Sequence, residues 1–180
     1  LAGLFIGWFG TTGIVTKISI QLFPKPKLRD LVMFSTDDPD SLPEVIFKAF
    51  QTEVAENFFI IAQDKPDWMS GHIYIVILIT GNNEDEFELK KRQFTVMFDE
   101  RVKFMEEAPP AFKRRFLEVP PFAATAADFA KGGGFEYVGG ILPIEKIPEA
   151  WRRTFEIVRR HKVVFSIAVQ PLDCGHSVMF

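Results

Sequence analysis

The sequence predicts an α+β fold: one antiparallel sheet with its helices on one face. Hydrophobic runs alternate between strand and helix periods in the order strand, helix, strand, strand, helix. The stretch from Ile73 to Ile79 is apolar at every position, the mark of a strand covered on both sides and central in a sheet. After residue 134 a second strand–helix–strand block repeats the order of the first. A chain of 180 residues is long enough for one good-sized core. Its 20 phenylalanines predict that this core is rich in aromatic rings.

Taken in order, Val15, Ile18, Ile20, Leu22 and Phe23 form a β-rich run that stops at Pro24-Lys25-Pro26, a stiff connection and the clearest boundary. Leu28 to Ser35 reads as a strand, and the acidic turn after it offers several helix N-caps. Leu42, Val45, Ile46, Ala49, Phe50 and Val54 recur at helical spacing. Asn57–Gln63 and His72–Thr80 are the next strands, and Gly81-Asn82-Asn83 turns the chain. A long helix is expected from Glu84 to Glu106, with Phe87, Phe94, Phe98, Val102 and Met105 on one stripe and Glu86–Lys90 as a favourable (i, i+4) pair. This order is most of a ferredoxin-like half.

Pro109 to Lys131 interrupts the pattern and is expected to be an insertion with two short helices. Its trio Lys113-Arg114-Arg115 is either a solvated helical face or a contact for an acidic substrate or redox partner. Gly132-Gly133-Gly134 leads into a strand from Phe135 to Leu142, and Pro143 opens a helix whose buried face holds Ile147, Trp151, Phe155 and Val158. Arg159 to Lys162 suits the negative end of that helix. Val163–Val169 and Cys174–Phe180 are the last strands. The expected architecture is two ferredoxin-like halves feeding one antiparallel sheet. Both chain ends fall inside apolar runs and are expected to be cut, the second within its last strand.

The stretch Gly7-Trp8-Phe9-Gly10-Thr11-Thr12-Gly13-Ile14-Val15-Thr16 carries the chemistry. Glycines at spacing three either shape a hairpin that binds nothing or free backbone amides to converge on one polar ligand. A glycine-rich turn that leads into a strand reverses the order of a mononucleotide site, where the strand comes first. The segment resembles the Gly-Ser-x-Gly-Thr-x-Gly-Ile-apolar-Thr loop that ends the FAD-binding domain of the FAD-linked oxidases of the vanillyl-alcohol oxidase type, which include glycolate oxidase and D-lactate dehydrogenases. The match holds at Gly7, Gly10, Thr11, Gly13, Ile14 and Thr16 and departs at Trp8 and Phe9. The resemblance implies that Gly7, Gly10, Thr11, Thr12, Gly13, Ile14 and Val15 lie along FAD, that residues 1–27 close the FAD-binding domain, and that residues 28–180 form the substrate-covering cap. A second segment, Tyr137-Val138-Gly139-Gly140-Ile141-Leu142-Pro143, is similar to the strand-to-helix step that lines the substrate pocket in such caps.

Gly175-His176 sits where many of these oxidases carry Gly-His-x-Gly-Asp-Gly-Asn, but here Ser177-Val178-Met179-Phe180 follows. Three readings of His176 stay open: a substrate-facing residue, a structural histidine, or a metal ligand. One histidine alone does not make a zinc site, so no metal is expected. The resemblance implies His176 and Tyr137 as the substrate-facing pair, while His72 and His161 read as structural. Cys174 reads as a buried apolar thiol.

The implied activity is oxidation of a hydroxylated carbon by hydride transfer to FAD. A 2-hydroxy acid such as glycolate or D-lactate is the first substrate class and an aromatic alcohol the second. The chain alone is expected to be inactive, and the electron acceptor and oligomeric state are left open. A stand-alone ferredoxin-like small-molecule-binding module is the reading from a different class. A net charge of −3 supplies no field for nucleic acid. No apolar run is long enough for a membrane span, and a single cysteine fits a reducing, cytoplasmic setting.

Overall fold

The computed structural model describes residues 13–22, 24–64, 69–118 and 138–180. It is an α+β fold: a seven-stranded antiparallel sheet with four helices among these residues. The chain forms β1 (Leu28–Thr36), α1 (Leu42–Gln51), β2 (Asn57–Gln63), β3 (Ile73–Gly81), α2 (Glu84–Thr95), β4 (Lys103–Met105) and α3 (Pro110–Glu118). It continues with β5 (Ile141–Pro143), α4 (Ile147–His161), β6 (Ser166–Leu172) and β7 (Ser177–Met179). Across the sheet the order is β4-β1-β3-β2-β6-β7-β5, and each neighbouring pair is antiparallel.

That order contains one unit twice. In β1-α1-β2-β3 the third strand lies between the first two, giving β1-β3-β2. In β5-α4-β6-β7 the arrangement is again β5-β7-β6. The corresponding strands β2 and β6 pair with each other, Ile60 opposite Val169 and Ala62 opposite Ile167, and so fuse the two units into one sheet. The helices agree in sequence as well. At one constant spacing Leu42-Pro43-Glu44 corresponds to Ile147-Pro148-Glu149, Ile46 to Trp151 and Phe50 to Phe155. In both helices proline occupies the first turn, where its missing N–H costs nothing. Leu42, Ile46, Ile147 and Trp151 are all buried against the sheet.

The core has two layers because β3 buries both faces. Ile73, Ile75, Ile77 and Ile79 join Val32, Phe34, Phe58, Ile60, Ile167 and Val169 under α1, α2 and α4. Tyr74, Val76 and Leu78 join Leu31, Met33, Phe59 and Ile61 on the other side, where Phe116 of α3 closes the layer. The expectation of helices on one face therefore holds for α1, α2 and α4 and fails for α3. Phe112 and Phe116, one turn apart, supply the reason: their rings lie 4.3 Å apart and Phe116 stacks on Phe59 at 5.1 Å. Lys113 Nζ, 2.7 Å from the Asp30 carboxylate, fixes the helix on β1, so one member of the basic trio is a structural tie.

The expected helix from Glu84 to Glu106 ends at Thr95. Its start is as anticipated. Asn83 Oδ1 accepts from the Glu86 amide, and the Glu86 carboxylate accepts from the Asn82 amide, both at 2.9 Å. Thr95 and Val96 are β-branched and weaken its last turn. Asp99 then diverts the backbone by accepting from the Arg101 amide at 2.9 Å. Phe98 still reaches the core, edge-on to Phe34 at 4.8 Å, but β4 pairs with β1 and carries Met105 to the α3 side.

Smaller corrections follow from local chemistry. Strand β6 begins at Ser166 because Lys162 adopts a left-handed conformation (φ 52°) and the Val163 amide closes back on Val158 O at 3.0 Å, using those residues to end α4. Strand β5 begins at Ile141; the expected residues Phe135–Tyr137, the triple glycine and the second helix of the insertion lie outside the described residues. Of the strand expected from Val15 to Phe23, Phe23 lies outside the described residues, the rest pairs with none of the described strands, and Val15, Ile18, Ile20 and Leu22 are exposed.

Candidate functional site

The two stretches that resemblance singled out in the second unit are neighbours. Strand β5 pairs with β7, Ile141 opposite Met179 and Pro143 opposite Ser177. Gly140 and Phe180 extend this ladder, each amide donating to the other's carbonyl at 3.0 and 2.9 Å. The Ile144 amide donates to His176 O at 3.2 Å, which places the turn before β7 beside the step from β5 into α4. Tyr137, the expected partner of His176, lies outside the described residues.

The turn itself is tightly constrained. Asp173, Cys174 and Gly175 have φ values of 49°, 51° and 83° in succession, two of them at non-glycine residues. Gly175 is buried against α1, where an added Cβ would lie 3.2 Å from Phe50 Cβ. His176 is exposed and its amide donates to Asp173 O at 3.1 Å. Cys174 is also exposed, a free thiol, which corrects the expectation of a buried one. The left-handed turn is the cause: it lifts the residue out of the strand in which alternation would have turned it inward.

Beside this turn lies an open sheet face. Ala168 and Gln170 of β6, Met179 of β7 and Ile141 of β5 point away from α1 and α4, since they alternate with the buried Ile167, Val169, Val178 and the half-buried Leu142. Ile141 is 70% exposed and Met179 45%. No sequence signal marks this face, because its residue types are those of an ordinary half-covered strand.

Of the segment expected along FAD, residues Gly7, Gly10, Thr11 and Thr12 lie outside the described residues. Gly13 has φ 141°, a conformation that favours glycine, and Ile14 and Val15 are exposed. None of these three backbones bonds to another described residue.

Two further clusters stand at the opposite end of the sheet, in the first unit. His72 Nδ1 lies 2.6 Å from Asp37 Oδ1, a partner that a spacing of this length in the chain does not announce. The Tyr74 ring stands edge-on to the imidazole. Burial, and after it the charge of Asp37, push the Tyr74 hydroxyl above its ordinary range. Arg101 is bracketed by Asp99 at 2.7 Å, Glu44 at 2.9 Å and Asp38 at 3.6 Å. The hydrogen bond and charge of Lys48, then Arg101, hold the Glu44 carboxyl below its usual value; Arg101 does the same for Asp99. These are surface ion pairs that tie the β1–α1 turn to its neighbours.

Among the described residues, no group of His, Cys, Asp and Glu could hold a metal ion, and no helix is long and apolar enough to cross a membrane. Comparison with protein-family models, with curated proteins and with solved structures finds no match to the chain.

Proposed function

We propose that the chain is the cap, with the closing segment of the cofactor domain, of an FAD-dependent oxidoreductase that oxidises a carbon bearing a hydroxyl group. In this reading residues 1–27 end the FAD-binding domain and residues 28–180 form a cap of two ferredoxin-like halves. The observation that carries it is the doubled strand–helix–strand–strand unit. It brings the Gly139–Pro143 step and the Gly175-His176 turn together at one end of the sheet. The glycine-favouring conformation of Gly13, φ 141°, supports it.

FAD, when bound, supplies the hydride acceptor. Gly7, Gly10, Thr11, Thr12, Gly13, Ile14 and Val15 lie along it. His176 and Tyr137 face a small-molecule substrate, for which a 2-hydroxy acid such as glycolate or D-lactate and an aromatic alcohol are the two classes. The chain by itself is inactive, and electrons pass from the flavin to a separate acceptor.

An absorption spectrum of the full-length protein tests this directly. It is expected to be yellow and to bleach without oxygen when a hydroxylated substrate is added. A colourless protein, or a reading frame that lacks any preceding cofactor domain, sinks the proposal and leaves a ferredoxin-like small-molecule-binding module in its place.

A further inference from the structure

We propose that the last turn of α4, with the two valines after it, docks on the surface of a bilayer that contains anionic phospholipid. The inference does not depend on the flavin reading. It comes from setting the end of α4 against the end of α1, its counterpart in the first unit.

Each helix runs into a left-handed residue, Glu53 (φ 53°) after α1 and Lys162 (φ 52°) after α4. Glu53 lies 11 residues beyond Leu42 and Lys162 lies 15 beyond Ile147, so α4 carries one turn that the shared topology does not require. That turn holds Ile157, Arg159, Arg160 and His161, all exposed. The residues that follow differ in the same direction. Val54 and Ala55, after Glu53, pack against the core. Val163 and Val164, after Lys162, are 53% and 66% exposed, and Ile157 is 55% exposed. Three branched aliphatic side chains therefore stand in water among basic ones.

The pull of the helix dipole on cations accounts for the basic residues and leaves the aliphatic ones unexplained. An occupant must supply negative charge and an apolar medium together. Arg153 and Arg160 share one carboxylate, Glu156, at 3.8 and 2.7 Å, and Arg159 lies 5.5 Å from the centre of the Phe155 ring. Exposed pairs of this kind are weak and exchange readily for another anion. Arg152 pairs with Asp40 of the β1–α1 turn and takes no part. Three of the chain's nine arginines gather here, and a guanidinium fork matches phosphate oxygens in pairs. Nucleic acid offers phosphate but no medium for the valines. The headgroup region of an anionic bilayer offers both, with the acyl boundary just below the phosphates.

The test is co-sedimentation of the full-length protein with vesicles of phosphatidylcholine alone, and with about a third of it replaced by phosphatidylglycerol. Partition into the anionic vesicles is expected to exceed that into the neutral ones at least about tenfold at low salt, and to fall as salt is added. Arg159→Gln with Lys162→Gln should weaken it at least about tenfold, and Val163→Ser with Val164→Ser at least about fivefold. The same loss of charge at the exposed Arg92 and Lys103, each changed to Gln, should leave it within about twofold. Circular dichroism checks that every variant is folded. Equal partition into neutral vesicles, no partition at all, or an equal loss from the Arg92 and Lys103 changes overturns the assignment. Binding that responds to salt, Arg159 and Lys162 but not to the valines also overturns it, and makes the patch a contact for an acidic protein instead.

Discussion

The two units share a topology and differ in what covers them. In the first, β3 has seven consecutive buried residues, Ile73 to Ile79, between α1 and α2 on one side and α3 on the other. In the second, β6 buries Ile167 and Val169 and exposes Ala168 and Gln170, and β5 and β7 are only three residues long. A sheet covered twice gains apolar burial on both faces, and a sheet covered once gains it on one. Among the described residues, the apolar burial that stabilises the sheet is therefore concentrated in the first unit.

Truncation of core side chains tests that division and should give the largest effects. Phe116→Ala removes the ring that closes the α3 layer and should cost about 3–5 kcal/mol, and Ile77→Ala about 2–5 kcal/mol, by urea denaturation followed with circular dichroism. Ile141→Ala on the open face should stay within about 0.5 kcal/mol of the parent. If Ile141→Ala destabilised as much as Ile77→Ala, the second unit would be carrying core load, and the contrast would collapse.

The turns ahead of β3 and β7 sharpen the comparison at a smaller scale. Gly71 and Gly175 precede the corresponding strands with φ values of 86° and 83°. A Cβ on Gly71 meets nothing within 4 Å, so Gly71→Ala carries only the left-handed backbone penalty, about 1–2 kcal/mol. A Cβ on Gly175 meets Phe50 and Ile46 at 3.2–3.4 Å, so Gly175→Ala should cost a further 1 kcal/mol or so, in all about 2–3 kcal/mol. Equal losses in thermal unfolding would mean that the second turn does not press on α1.

What could be read in advance followed from period and composition. The two-sided burial of β3 was plain in an unbroken apolar run, and α1 and α4 were plain in their stripes. The opposed placement of α3 was not, because Phe112 and Phe116 fix a helix face without saying which sheet face receives it. The helix expected to run to Glu106 ends at Thr95, since Phe94, Phe98 and Val102 keep helical spacing while meeting the core by separate routes. At the candidate site, Gly175-His176 was visible as a motif and its closeness to Pro143 only through the pairing of β5 with β7. The partnership of His72 with Asp37 depends on the β1–β3 register, which a single chain of letters does not display.

The smallest effect concerns acid. Lys48 and Arg101 hold the Glu44 carboxyl below its ordinary value, and Arg101 holds Asp99 below its own. A carboxyl whose pKa is lower in the folded state contributes stability that is complete above its unfolded value and is lost as pH falls through the folded one. The acid limb of the stability profile should therefore contain a contribution from the β1–α1 turn of the first unit. Arg101→Ala should lower stability near neutral pH and flatten that limb, and the two profiles should converge once both carboxyls are protonated. All three groups face water, so the difference should also shrink as salt is added. Thermal unfolding of both proteins from neutral to strongly acidic pH, at low and at high salt, measures this. Parallel curves that never converge would show that Arg101 acts through its packing against the turn rather than through its charge.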